Sequence, residues 1–241
     1  MHKVLDFIKK NKQFSFFLLL VILLALITIF APVIAPQDPY ASDLKNALQP
    51  PSSAHWFGTD KLGRDIFSRV IYASRSSLPA TLILVVLIFA IGTLLGTLAG
   101  YFGGWIDAVI MRISDMMISF PGMVLAIAVA GIMGASVKNA VIAVAVVSWP
   151  KYARLARSLV MKIRHEDYIY AAIVTGSKTS YILRKYMLPN IIPTLIITAA
   201  TDIGGMMLEL AGLSFLGFGA KAPAAEWGLM LNEGRTYMQN A

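Results

Sequence analysis

Two carboxylates, Asp202 and Glu209, stand in an otherwise apolar stretch of this sequence. Seven residues apart, they fall on one face of a helix. Carboxylates in such a setting are costly and face a partner or a wet cavity. Two readings stay open: an electronegative strip beside a cation path, or interhelical pairing with an arginine or hydroxyl of a partner subunit. Met206 and Met207 lie between them and are soft enough to attract a metal, although methionines there more often pack. Enzymatic chemistry has no comparable foothold. The three histidines, His2, His55 and His165, are scattered, and no HExxH, Ser-His or Gly-x-x-x-x-Gly-Lys pattern is present. With no cysteine, disulfides and thiolate metal sites are excluded. A membrane-embedded enzyme and a channel or carrier working alone are the readings of another class.

The second chemically distinctive stretch runs from Lys151 to Pro189. It carries Lys151, Arg154, Arg157, Lys162, Arg164, Lys178, Arg184 and Lys185. In a membrane protein such a cluster stays on the cytoplasmic side. Its middle holds the small residues Ala171, Ala172 and Gly176. On a short helix Ala172 and Gly176 are one i,i+4 step apart, which predicts a nearly bare face open to close approach by another protein. The expected occupant is a cytoplasmic motor protein; the alternative is a basic loop held by lipid headgroups.

The elements that position these residues follow from the apolar runs. The 241 residues are 57% hydrophobic and 14% charged, with mean hydropathy +0.69. A soluble domain carries about 25% charged residues, so the bilayer is the expected solvent. The net charge of +8 clusters between apolar runs, which speaks against nucleic acid as a partner. Residues 1–12 read as a cytoplasmic tail with Lys3, Lys9, Lys10 and Lys12. Residues 13–35 read as a first transmembrane helix, longer than the apolar core of a signal peptide. Residues 36–77 are extracytoplasmic. A core over 78–241 then holds a second span, Leu78 to Gly100, with Gly92, Gly96 and Gly100 recurring every fourth residue. That stripe suits close helix packing or a mobile, pore-lining helix. A short inner loop, 101–112, leads to a third span, Ile113 to Gly134, which Phe120-Pro121-Gly122 should bend. A fourth span ends near Trp149-Pro150, the loop 151–189 follows, a fifth covers Ile191 to Ala211, and 212–241 is extracytoplasmic. This gives an all-α integral membrane protein with about five spans. Lys/Arg placement agrees: the tail, Arg112 and the basic loop lie inside, against five cations in the first outer segment plus Lys138, Lys221 and Arg235 outside.

Ala171-Ala172, three residues, Gly176, nine residues, Tyr186, one residue and Leu188-Pro189 together resemble the EAA loop of ABC-importer permeases. That family's pattern is Glu-Ala-Ala, three residues, Gly, nine, Ile, one, Leu-Pro. Tyr170 stands where the pattern has Glu and Tyr186 where it has Ile, so the carboxylate is gone while the small residues remain. Gly58-Thr59-Asp60, two residues, then Gly63-Arg64-Asp65 resembles the signature before the second span of peptide and nickel permeases. Asp202-Ile203-Gly204, Ala211-Gly212-Leu213-Ser214-Phe215-Leu216-Gly217 and Glu226-Trp227-Gly228 are most similar to the nickel members of that branch.

The resemblance implies a type I ABC-importer permease fold with six spans; a sixth helix is therefore expected beyond the five counted here. It implies transport of nickel or a metal chelate, with a dipeptide or oligopeptide as the alternative. It further implies a second permease subunit, two ATP-binding subunits and an extracytoplasmic solute-binding protein, in contact with membrane lipid. ATP and magnesium would sit in the partner subunits, with no cofactor in this chain. Tyr170, Ala171, Ala172, Gly176, Leu188 and Pro189 would couple to an ATPase, and Asp202, Met206 and Glu209 would be candidates for the path. Which residues, if any, meet a metal stays open.

Overall fold

Apolar runs punctuated by proline, glycine and charge fold here into helices, most of them joined by short turns, with a longer irregular segment between Ile34 and Ile66. The structure, a computed structural model, describes residues 10–237. Residues 1–9 of the expected tail, with His2, Lys3 and Lys9, and residues 238–241 of the expected outer end lie outside the described residues. The helices are α1 (Lys12–Ile34), α2 (Ile66–Phe102), α3 (Gly104–Ser119), α4 (Gly122–Met133), α5 (Val137–Ile163), α6 (Asp167–Val174), α7 (Thr179–Ile182), α8 (Leu188–Phe215) and α9 (Trp227–Arg235). Among the described residues no strand forms; Thr59 and Asp65 make an isolated bridge. The chain divides into two units, Met1–Pro79 with Ala222–Ala241, and Ala80–Lys221.

Among the described residues, three helical stretches are long and apolar enough to cross a membrane, α1, α2 and Thr179–Phe215, or four if α3 and α4 count as one broken span. The remaining span of the expected five corresponds to the first half of α5. There the apolar run from Ala140 to Pro150 is bracketed by Lys138 and Lys151, too short to qualify by composition. Burial explains why it need not be longer: Ala140, Val144, Val147, Tyr152, Ala156 and Val160 are all enclosed by protein, so α5 is wrapped by its neighbours.

Three boundaries differ from the sequence reading. The expected inner loop 101–112 is almost wholly helical, with only Gly103 between α2 and α3. Asp107 in the first turn of α3 suits the helix dipole there. The expected bend at Phe120-Pro121 is a full break, with α3 and α4 at 96°. Past Pro150, α5 continues to Ile163, so the first part of the expected loop 151–189 is helix. One missing N–H at Pro150 costs a single backbone bond, and its buried neighbours hold the helix together.

The glycine stripe on α2 packs against α5. A Cβ at Gly92 would lie 2.4 Å from the Tyr152 Cβ, one at Gly96 2.2 Å from the Ala153 carbonyl oxygen, and one at Gly100 2.9 Å from the Arg157 carbonyl oxygen. Backbone meets backbone over this length, so close packing is its role. Around this seam Leu84 and Ile88 of α2, Ala126 and Ala130 of α4, and Ile191, Leu195 and Leu213 of α8 complete the core of the second unit.

Candidate functional site

α6 is built as a two-sided helix. Ile169 and Ala172 turn inward to join the core, while Tyr170, Ala171, Ile173 and Val174 face out, Val174 with 86% of its surface exposed. The expected bare face pairing Ala172 with Gly176 does not form. Ala172 is 7% exposed, and Gly176 lies beyond the helix end. There its φ of +77° lets the Gly176 N–H donate to the Ile173 carbonyl and the Ser177 N–H to the Ala172 carbonyl, each at 3.0 Å. This is a glycine helix stop, and only a residue without Cβ adopts that φ freely. The exposed surface is thus apolar and aromatic rather than bare. Where the family pattern has Glu, the Tyr170 hydroxyl is hydrogen-bonded to His165 Nδ1 at 2.9 Å.

Leu188 and Pro189 open α8. Pro189 lacks an N–H and its ring crowds the Lys185 carbonyl, and the chain widens there into a π-turn over Leu183–Met187. Asn190 Nδ2 donates to the Tyr186 carbonyl at 2.6 Å, recovering one of the displaced bonds. Tyr186, in place of Ile, has ring contacts with Tyr168 and Tyr181 at 6.0 and 5.9 Å. An open cavity of about 560 Å³ borders this turn, lined by Ser177, Lys178, Ser180, Tyr181, Arg184 and Tyr186.

On α8, Asp202 is not bare. Lys151 Nζ donates to both its carboxylate oxygens at 2.7 Å, and the Tyr152 hydroxyl donates to Oδ2 at 3.0 Å. Of the two readings of this carboxylate, the geometry supplies pairing, with a lysine of the same chain as the partner. Glu209 is partly exposed two turns on, while Met206 is buried in the core. Two further cations of the basic stretch are also engaged. Arg154 pairs with Asp115, and Arg157 makes a two-point bond to Asp107. That hydrogen bond raises the Arg157 guanidinium further above its usual range, so the arginine stays charged at any pH a cell meets. Sequence reading counts these cations as a topological signal. It misses that Asp107 and Asp115, eight residues apart on α3, neutralise two of them.

In the other unit, the Gly58–Asp65 signature folds into a hydrogen-bonded knot. Thr59 Oγ1 donates to the Asn46 carbonyl and accepts from the Gln49 N–H, and the Gly58 carbonyl accepts from the Ile66 N–H. Gly63 has φ +73°, and a Cβ there would lie 1.8 Å from the Asp43 carbonyl oxygen, so glycine is required. Asp60 accepts from the backbone N–H of Leu62 and Arg64 and from Arg64 Nε at 2.6 Å. Asp65 accepts from Ser68 and bonds His55. Arg64 and Arg69 are each 1% exposed. Both donate to Glu233 Oε2 of α9, at 3.0 and 3.4 Å. Glu233, unnoticed in the sequence, is therefore the carboxylate that completes the signature. Glu233→Gln leaves two buried guanidiniums short of a counter-charge and is expected to cost about 3 kcal/mol. The check is the thermal midpoint of the purified protein; a midpoint equal to that of the unmodified chain would rule this out.

Residues 92–239 match the family described as the binding-protein-dependent transport system inner membrane component. The chain belongs to this family of ABC-importer permeases. Residues 2–51 match the N-terminal transmembrane domain of oligopeptide transport permease C, which places the chain in the dipeptide, oligopeptide and nickel branch. It is 44% identical to the dipeptide transport system permease protein DppC of Alkalihalophilus pseudofirmus, over 97% of this chain and 77% of that protein. It is 46% identical to the probable D,D-dipeptide transport system permease protein DdpC of Escherichia coli K12, over 91% of this chain and 74% of that protein. With the nickel transport system permease protein NikC of the same strain the identity is 41%, over 92% and 80%. The expected tilt toward nickel members is thus absent from these identities. A chain of the MetNI methionine ABC transporter, solved in inward-facing conformations, superposes with a TM-score of 0.60 at 20% identity, covering 72% of this chain and 83% of that one. That likeness gives the type I importer permease fold. As a permease of this family with several apolar helices, the protein resides in the inner membrane.

Proposed function

We propose that this chain is one of two permease subunits in an importer of short peptides, and that α6 is the surface on which an ATP-binding subunit pushes. The observation that carries the reading is the outward face of α6. Tyr170, Ala171, Ile173 and Val174 form an apolar, exposed patch on a helix pinned from behind by Ile169 and Ala172. Such a patch on a short, anchored helix is the kind of surface a partner groove takes up. In this reading the segment 151–189 is cytoplasmic, and Gly176, Leu188 and Pro189 shape the helix's exit rather than touch the partner. Two ATP-binding subunits, holding ATP and magnesium, supply the hydrolysis. A solute-binding protein delivers cargo outside, and the second permease completes the path. A motor biases a two-state permease only through a contact that differs between the states.

The peptide class is favoured by the names of two relatives, DppC and DdpC, and by Asp202, whose carboxylate is already occupied by Lys151 and Tyr152. A second reading, nickel or a metal chelate, draws on the tail motif around Asp202 and on the likeness to NikC. Reconstitution with the ATP-binding subunits decides between them. ATP hydrolysis should rise with a dipeptide and stay flat with Ni(II); the reverse pattern would assign the metal. A channel or carrier working alone is set aside if ATP-binding subunits co-purify with the chain.

A further inference from the structure

The basic stripe on α5 does more than set topology. Lys151, Arg154 and Arg157 recur every third residue and meet three carboxylates on two neighbouring helices. Lys151 pairs with Asp202 of α8, and Arg154 and Arg157 pair with Asp115 and Asp107 of α3. The pairs are unequal. Arg154 and Asp115 are both largely exposed, and such pairs contribute little. Arg157 and Asp107 are more sheltered and share a two-point bond, and Asp202 is mostly covered where Lys151 reaches both of its oxygens. The same stretch of α5 has no room to slide on α2, because Gly92, Gly96 and Gly100 bring that helix against Tyr152, Ala153, Ala156 and Val160. Just beyond it, Ile169 and Ala172 root α6 in the same core as Val160 and Met187.

We infer that Lys151 and Arg157 are positioning residues that lock α5 to α8 and α3, so that a displacement imposed on α6 reaches α8 without loss. This rests on the reading of α6 as the docking surface, but the lock itself is a property of this chain. Packed helices transmit a push as one body only if they cannot slip. Here sterics prevent slip against α2, and charge prevents it against α3 and α8.

The chain has no cysteine, so spin labels on cysteines placed at Asp167, which lies on α6 outside the docking patch, and at Leu208, both exposed, report the α6–α8 distance alone. In the complex of both permeases with their ATP-binding subunits, the unmodified background should give one narrow distance distribution, unchanged by ATP. Lys151→Met combined with Asp107→Asn should widen it about twofold, as expected when packed helices lose the bonds that tie them. In a chain that keeps Lys151, exchanging the charges, Arg157→Asp with Asp107→Arg, should give the narrow distribution, which a mere packing defect would not. The inference is overturned if the Lys151→Met, Asp107→Asn protein keeps the narrow distribution, if ATP shifts the distance in the unmodified background, or if the exchanged pair is broad. The width is also read without nucleotide. Failure of the ATP-binding subunits to co-purify therefore speaks against the α6 reading, while the width still decides the lock.

Discussion

Val174→Asp on α6 is expected, on the proposed reading of that helix as the docking surface, to leave the protein inserted and folded while cutting ATP-driven uptake about a hundredfold, through loss of docking worth about 3 kcal/mol. The side chain is 86% exposed, so the fold loses almost no burial. A carboxylate placed in a dehydrated apolar contact has no partner and must be left unsolvated. Co-purification of the ATP-binding subunits and uptake into proteoliposomes would both fall together, and wild-type values of either would contradict the assignment. Tyr170→Phe should be milder, since it removes only the hydroxyl bonded to His165. Gly176→Trp, which the motif spacing alone would suggest, is a less direct probe. Its φ of +77° strains any side chain, so the variant disturbs the end of the helix as well as its surface.

Gly96→Leu is expected to prevent folding altogether. Its first carbon alone would lie 2.2 Å from the Ala153 carbonyl oxygen and 2.8 Å from the Ala156 Cβ. Backbone cannot step aside as a flexible side chain does, so α2 and α5 must separate along their seam. Overpacking costs about 3 kcal/mol or more where the neighbours cannot move, and the Leu84 and Ile88 contacts of the same core are lost with it. The expected result is degradation in the membrane and no monodisperse peak after solubilisation. A folded Gly96→Leu protein would mean that the two helices are not held at backbone distance. Gly204→Leu serves as the matched control on α8, since a Cβ added there would meet nothing within 4 Å.

Much of this architecture is legible in the residues, and the reasons are local. Apolar runs ended by proline or charge produce the helices, Pro121 breaks where a missing donor and a rigid ring make a break cheap, and a glycine every fourth residue yields a backbone seam. The signature knot is legible as a motif, but its anchor on Glu233 is not, because 169 residues separate Arg64 from its partner and no period links them. The same limit hides the pairs Arg157–Asp107 and Lys151–Asp202, which depend on how α5 settles among its neighbours. For the segment around α6 the motif marks the position but not the face. A step of i,i+4 puts Ala172 and Gly176 together only if the helix reaches both, and the glycine itself ends it. The same stop leaves Ile173 and Val174 exposed in the last turn of the helix.

The central claim is that the outward face of α6 meets a nucleotide-driven partner. With no native cysteine, a single cysteine at position 174 carrying a photo-activated cross-linker tests it in membranes that hold the whole assembly. The account predicts a covalent adduct between this chain and an ATP-binding subunit. Adducts confined to lipid, or formed with a protein on the opposite side of the membrane, would contradict it.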